Sequence, residues 1–494
     1  MYAYFRHSFD FLNRRFSHLK HNFVAHTTAL KLVLCIAIPL LVWAMPTAWF
    51  PFEVLSITQH RTIFIFALAA IFWIFEPIPI YATSIVVILL ELVLLSDSGI
   101  SFAFSNKESE MFGVIMSYKE IIGTFASPII ILFLGGFFLA IATSKYNMDS
   151  TMARTFIKPF GSKPKWVMLG IMSITAVFSM FMSNTATTAM MLSILVPVLA
   201  SLDKEDKGRI GFVLCVPVAA NIGGLGTPIG TPPNAIAMKY LSNDITFSKW
   251  MVLGVPFVII MLIISWLIIL MVYPPTTKNI KLNILHETKD KRAARIIYGT
   301  FIVTVLLWLT DFWHGMNSYV IAIIPIAVFL SLNILNKDDL KHVSWDVLWL
   351  VSGGIALGLA LSVTGLAEVI VNSIPFAHMP VYLIFVLAAV TGLVIANFMS
   401  NTATANLLIP IIAVIGGSLM SLKSLGGGKT LLISTTLAIS LGMCLPISTP
   451  PNALAYSTGL ISTKQLSVIG VTVGLIGLLV AFGLLYFDIN IGIL

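Results

Sequence analysis

The sequence predicts an all-α polytopic membrane protein with an internal duplication and two re-entrant hairpins. Three observations carry that expectation: apolar stretches long enough to span a bilayer, a shortage of charge, and motifs that occur twice in the same order. Of 494 residues, 58% are hydrophobic and 10% charged, whereas a soluble domain carries roughly a quarter charged residues. So few charges cannot clothe a chain of this length in a water-facing surface. The stretches 252–272 and 468–487 each reach the length of about 20 apolar residues that crosses the hydrocarbon layer.

Taken in order, spanning candidates fall near 32–49, 62–75, 81–96, 167–182, 186–200, 210–224, 251–273, 296–311, 318–334, 380–398, 403–419, 430–446 and 467–487. Several are too short to cross alone and are interrupted by polar residues, Gly or Pro, which is the pattern of a transporter's broken helices. The net charge of +8 is gathered in Arg6, Arg14, Arg15 and Lys20, in Arg154, Lys158, Lys163 and Lys165, and in Lys278, Lys281, Lys289, Lys291, Arg292 and Arg295. These lie in tails and short loops beside apolar spans, the distribution of cytoplasmic loops rather than of a nucleic-acid surface. The N-terminus is therefore expected in the cytoplasm, with 5–23 as a surface-lying or solvated basic segment. The first span follows a long basic lead without a small-residue cleavage site, as an anchor does. Cys35, Cys215 and Cys444 are odd in number and widely spaced, so they make neither a disulfide framework nor a zinc site.

The repeat is read directly. Phe181-Met182-Ser183-Asn184-Thr185-Ala186-Thr187 recurs as Phe398-Met399-Ser400-Asn401-Thr402-Ala403-Thr404. Pro228-Ile229-Gly230-Thr231-Pro232-Pro233-Asn234-Ala235 recurs as Pro446-Ile447-Ser448-Thr449-Pro450-Pro451-Asn452-Ala453, and Gly135-Gly136 as Gly353-Gly354. One order at nearly one offset is an internal duplication, running from about 119 to 240 and from about 340 to 457. Breaks at Ser127-Pro128 and at Ser352-Gly353-Gly354 suit re-entrant hairpins over 121–142 and 345–361, whose tips must be buried in protein or line a wet cavity.

Three consecutive polar side chains inside an apolar span make sense if the helix is broken there, because unpaired polar groups in hydrocarbon cost several kcal/mol each. The freed N–H end of the next half-helix favours an anion. The freed C=O end, with hydroxyl and amide oxygens, can hold a cation such as Na⁺. Thr-Pro-Pro-Asn ends one helix and opens another, and Asn234 and Asn452 add donors and acceptors. Neither motif contains Arg, Lys or His, so an anion would be held by neutral donors and helix dipoles. Among the acids, Glu76, Asp311, Asp346 and Glu368 fall near span ends, and Glu91 is the candidate for burial. No His-x-x-x-His or Gly-x-Ser-x-Gly cluster is present, which argues against an intramembrane enzyme.

At Ser183-Asn184-Thr185, Ser400-Asn401-Thr402, Thr231-Pro232-Pro233 and Thr449-Pro450-Pro451 the chain resembles the divalent anion/sodium symporter family of dicarboxylate, citrate and sulfate carriers. Phe75-Glu76-Pro77-Ile78-Pro79 looks like that family's early Thr-Glu-Ala-Ile-Pro signature, with Phe and Pro at its first and third places. The resemblance covers nearly the whole chain after about residue 30. It implies a plasma-membrane homodimer of protomers with about eleven transmembrane helices arranged as an inverted repeat, each with a scaffold and a mobile transport domain, working as an elevator. On that division 1–28 is a basic cytoplasmic segment, 29–118 and 241–339 are scaffold, 119–240 and 340–457 are the two repeats of the transport domain, and 458–494 is a C-terminal helix. The resemblance also implies that Ser183, Asn184, Thr185, Thr231, Ser400, Asn401, Thr402 and Thr449 contact the substrate carboxylates, with Pro232 and Pro450 beside them. Ser179, Ser183, Asn184 and Gly230 would form a first sodium site, and Asn401 with Ser448 part of a second. No cofactor beyond Na⁺ is implied, and no partner beyond a small dicarboxylate, the lipid bilayer and a second copy.

The chain departs from the family at the second site. Where symporters carry Thr-Glu-Phe, this sequence has Ala396-Asn397-Phe398, and a hydroxyl and an acid are lost. The expectation therefore leans towards exchange of C4/C5 dicarboxylates such as succinate, malate, fumarate or 2-oxoglutarate. Sodium-coupled symport of dicarboxylate, citrate or sulfate is held close behind, and an anion channel is remote.

Overall fold

The computed structural model describes residues 33–52, 55–100, 111–241, 244–280, 291–373 and 379–492. The N-terminal segment 1–28 lies outside them, as do Lys281 and Lys289 of the basic loop. Among the described residues every extended element is a helix, and the one bridge pairs Ser96 with Met116. In hydrocarbon a helix satisfies its own backbone, which is why apolar stretches of this length fold this way. Among the described residues ten helices are long and apolar enough to cross a membrane, and shorter apolar helices accompany them.

In chain order, α1 (Val33–Ala44) precedes α2 (Ile57–Phe75) and α3 (Ile80–Leu94). The short α4 (Tyr118–Gly123) leads through a single 3₁₀ turn into α5 (Pro128–Lys145), followed by α6 (Met148–Ile157). Then come α7 (Pro164–Phe181), α8 (Asn184–Ala200), α9 (Gly208–Gly223), α10 (Pro232–Leu241) and α11 (Phe247–Val272). The second series holds α12 (Lys291–Leu309), α13 (Asp311–His314), α14 (Ser318–Ile321), α15 (Ile323–Ser331), α16 (Trp345–Val363) and α17 (Leu366–Ser373). It ends with α18 (Val381–Phe398), α19 (Asn401–Ser418), α20 (Gly427–Ser440), α21 (Pro450–Ser457) and α22 (Thr463–Asn490).

The duplication extends beyond the motifs. A shift of 217 carries the bounds of α7 onto those of α18 and the start of α8 onto that of α19. Within two residues the same shift carries α11 onto α22, and a shift of 234 carries α2 onto α12. Lys145 at the end of α5 pairs with Asp339, just ahead of α16, at 2.6 Å. The end of α5 therefore meets the approach to its counterpart α16, so the repeats run in opposite senses.

The hairpins are not where the glycines suggest. Gly135-Gly136 and Ser352-Gly353-Gly354 lie inside the continuous helices α5 and α16. Glycine serves there for close packing rather than reversal. A Cβ on Gly353 would stand 2.3 Å from Ser84 Cβ, and one on Gly354 1.8 Å from Asn406 Oδ1. Ser127-Pro128 changes helix type without turning the chain back.

The reversals are at Ser-Asn-Thr. Met168 near the start of α7 approaches Gly211 near the start of α9, and Arg209 donates to Leu199 O and Leu202 O at the end of α8. At the other end, Ser179 meets Ala220 and Asn184 approaches Gly224. Both arms thus flank α9 in opposite directions, with Met182-Ser183 as the tip. In the second repeat Gly416 at the end of α19 touches Gly428 at the start of α20, while Ala396 at the end of α18 touches Gly442 at the far end of α20.

Candidate functional site

Four helix starts converge on one cavity. The starts of α8 and α19 are capped by Ser183 and Ser400, whose hydroxyl oxygens accept from Ala186 N and Ala403 N at 3.2 Å each. That uses each serine as a cap acceptor and leaves its O–H free to donate. The start of α21 is capped by Thr449, which accepts from Asn452 N at 3.4 Å, and α10 opens at Pro232 after Thr231. Proline at a first turn removes an N–H that the helix would not have paired. The cavity between them measures about 180 Å³. Ser183, Asn184, Thr185, Thr231, Pro232, Ser400, Asn401, Thr402, Thr449 and Pro450 all line it. Every substrate residue read from the sequence is thus brought to one place. Among the described residues no Lys, Arg or His lines it, so attraction for an anion comes from helix dipoles and neutral donors.

Behind the first tip several oxygens crowd together. Ser179 Oγ lies 2.5 Å from Asn184 Oδ1 and 2.7 Å from Ala220 O. One hydroxyl proton can be donated fully to only one of them. Close by, a Cβ on Gly224 would fall 2.9 Å from both Asn184 Oδ1 and Gly230 O. Hydroxyl, amide and carbonyl oxygens converging with a single proton among them form a donor set that suits a hard cation. Ser183, counted with this set from sequence, turns its oxygen to the α8 cap instead.

The equivalent place in repeat two is built differently. Ser179 maps onto Ala396, which is fully buried and faces Gly442. The Asn401 amide lies against the carbonyls at the end of α20: its Nδ2 donates to Ser440 O at 3.3 Å, and with the amide turned over the nitrogen reaches Gly442 O at 3.0 Å and Ile439 O at 3.3 Å. Ser448 donates to Asn397 O at 2.8 Å. The Asn397 side chain accepts from Cys444 N at 2.8 Å and donates to Leu393 O at 2.9 Å. These groups lace the break together, and the two halves of the site are chemically unequal.

Asn234 and Asn452 prove to be braces. Asn234 Nδ2 donates to Gly224 O at 3.0 Å and Thr227 O at 2.9 Å, and Asn452 Nδ2 donates to Met443 O at 2.7 Å and Leu445 O at 3.0 Å. Each ties the freed carbonyls of one helix end to the start of the next, where unpaired groups would be costly. Sequence reading missed Asn221, which lines the cavity and joins the repeats by donating to Thr449 Oγ1 and Asn452 Oδ1 at 3.1 Å each. It also missed the cavity's Phe133, Phe137, Phe181 and Ser440. Asn221 and Ser440 stand outside the doubled motifs, so no signal marked them. Asp346, placed near a span end, lines the cavity too. Glu91 is fully buried on α3, and its carboxyl has no hydrogen-bond partner among the described residues.

A second space of about 370 Å³ shares Phe137, Met182 and Ser183 with the central cavity and leads past Ser144 to Lys145, Asp339 and His342. Elsewhere α16 packs on α19, where Asn406 donates to Leu350 O at 2.9 Å. The central cavity thus adjoins a space that leads to the face carrying Lys145.

An all-helical membrane protein with an inverted repeat, broken helices and one mid-chain cavity between the repeats is a membrane transporter. Residues 26–491 match the family described as the sodium:sulfate symporter transmembrane region, and the chain belongs to that family. It is 31% identical to the sodium-dependent dicarboxylate transporter SdcS of Staphylococcus aureus (strain NCTC 8325 / PS 47), over 85% of this chain and 84% of that protein. The same identity and coverage hold for SdcS of strain COL. Among solved structures, the YdaH transporter of Alcanivorax borkumensis aligns with a TM-score of 0.52 at 13% identity, over 88% of this chain and 99% of that one. That likeness concerns the fold.

Proposed function

We propose that this protein carries C4/C5 dicarboxylates across the plasma membrane together with sodium, by moving the two Ser-Asn-Thr hairpins and their Thr-Pro-Pro-Asn breaks as one elevator body. The observation that carries the reading is the oxygen set at Ser179, Asn184 and Ala220, crowded around a single proton. A coupling ion held there would lie directly behind an anion-binding helix start, so cation and substrate would favour one another. The sodium dependence and dicarboxylate named for the Staphylococcus relatives support the same choice. This moves the balance from exchange, the leaning of the sequence, towards symport. Exchange stands as the second reading because Ala396 removes the hydroxyl from the matching place in repeat two.

The Lys145 face also carries Lys158, Lys163 and Lys165, which supports placing it and the N-terminus in the cytoplasm. On this reading the space adjoining the central cavity faces inward. The family resemblance adds a homodimer, which the mass of the particle in native nanodiscs would report.

The deciding measurement is uptake of labelled succinate into proteoliposomes, empty or preloaded with unlabelled dicarboxylate, with and without an inward sodium gradient. Sodium-dependent uptake into empty vesicles is the expected result. Uptake confined to preloaded vesicles and indifferent to sodium would replace symport by exchange. Unsaturable conductance would replace both by a channel.

A further inference from the structure

Asp346 is an acid in the wall of a cavity built for anions. It sits in the first turn of α16, is exposed, and lines the central cavity together with Val347 and Leu350. Its carboxylate has no hydrogen-bond or ion-pair partner among the described residues. It is also the one ionisable side chain on the described wall, since the remaining lining residues are apolar, hydroxyl, amide, Gly or Pro. Stabilising the first turn of α16 against its dipole would explain an acid there. It would not explain why the acid is left unpaired against a site for negative charge.

Its charge gives it a role. The starts of α8, α10, α19 and α21 each present a partial positive charge, but α7, α9, α18 and α20 end at the same breaks with partial negative charge, so the two sets largely offset one another. Asp346 adds the one full charge of the wall. That charge opposes an anion, more strongly for a trianion such as citrate than for a dianion, and a cation at Ser179 and Asn184 offsets it.

We propose that Asp346 is a specificity-determining residue that limits the net negative charge the cavity accepts, selecting a dianion accompanied by a cation over a trianion. The inference rests on the proposed reading of this cavity as a dicarboxylate site. Asp346 acts by repulsion, and discrimination between partners frequently depends on such an element. Because Asp346 is exposed, its effect is partly screened and depends on salt.

The test uses the full-length protein in proteoliposomes, with labelled succinate as the transported species and unlabelled succinate and citrate as competitors. It is run at a pH alkaline enough to keep citrate fully ionised. The quantity read is the ratio of the half-inhibitory concentrations of citrate and succinate. Asp346→Asn should lower that ratio about tenfold and make succinate uptake less dependent on sodium, while Asp346→Glu should keep both close to wild type. A role confined to helix stability would lower the melting temperature of Asp346→Asn and leave the ratio unchanged; an unchanged ratio in a transporting Asp346→Asn overturns the proposal. Should that variant not fold, Asp346→Ser is read in the same way. In the wild type, raising ionic strength at fixed sodium should narrow the ratio several-fold, and a ratio indifferent to salt likewise overturns it. If the wild type transports succinate and only the ratio fails to respond, the dicarboxylate reading survives without this inference. If the wild type transports no dicarboxylate, both fall.

Discussion

One residue pair carries most of the asymmetry between the two half-sites: Ser179 in repeat one and Ala396 in repeat two. Ser179→Ala removes the hydroxyl that touches both Asn184 Oδ1 and Ala220 O, leaving the remaining oxygens without their shared partner. A cost of about 1–3 kcal/mol for such a loss corresponds to roughly a 5- to 150-fold rise in the sodium concentration for half-maximal uptake. Uptake against sodium concentration measures it; an unchanged curve would remove Ser179 from the cation set. The reverse change, Ala396→Ser, should steepen the sodium dependence if repeat two then gains a cation. The comparison of the two repeats was open to inspection in the sequence, because doubled motifs supply their own alignment. Asn221 was not, because its role depends on Thr449 and Asn452 of the other repeat coming to 3.1 Å. The bracing by Asn234 and Asn452 was hidden for a related reason. An amide beside a helix break suits a ligand and a brace equally until the carbonyls it reaches are placed.

At the scale of elements, the sequence signalled breaks but misjudged which of them turn the chain around. Glycine pairs in an apolar run fit a hairpin tip and a tight helix contact alike, and only the neighbours Ser84 and Asn406 decide for contact. The Ser-Asn-Thr breaks were legible because three successive polar side chains have no place on a lipid-facing helix. One connection outside the motifs has a measurable consequence. Asp206, between α8 and α9, accepts from Gly208 N at 2.8 Å, Thr277 N at 2.9 Å and Thr277 Oγ1 at 2.6 Å, so it ties the hairpin's base to the exit of α11. Burial works to raise the Asp206 carboxyl, but the Thr277 hydroxyl and the N–H groups of Thr277, Gly208 and Thr276 outweigh it and lower it to about 2. A value below the roughly 3.9 of an unfolded chain means that the stabilisation is complete above about pH 4 and is lost as pH falls towards 2. Asp206→Asn should therefore cost about 1–3 kcal/mol at neutral pH and flatten the acid limb of stability below pH 4. Thermal melts followed by tryptophan fluorescence across pH would show it, and a variant with wild-type stability would mean that the loop does not anchor the hairpin.

For the whole molecule, the inverted repeat turns one observed arrangement into an expectation for a second. In this structure α16 is closed on α19 through Gly354 and Asn406, while the matching helices α5 and α8 stand apart across the open space beside Ser183. Gly136 matches Gly354 at the shift of 218, and Ala189 matches Asn406 at the shift of 217. If the hairpins move as one body, the contact made now by repeat two is exchanged for its counterpart in repeat one. Gly136 then packs on Ala189, and Gly354 parts from Asn406. Both counterparts are small, and Ala189 is exposed here, which leaves room for that closure. A Gly136→Cys/Ala189→Cys pair, in a background from which Cys35, Cys215 and Cys444 have been removed, should cross-link slowly at rest. It should cross-link several-fold faster when substrate and sodium are present together, and the linked protein should no longer transport. Cross-linking that is fast at rest and indifferent to substrate would show that α5 and α8 approach one another without turnover. The two repeats would then be related by ancestry without exchanging places during transport.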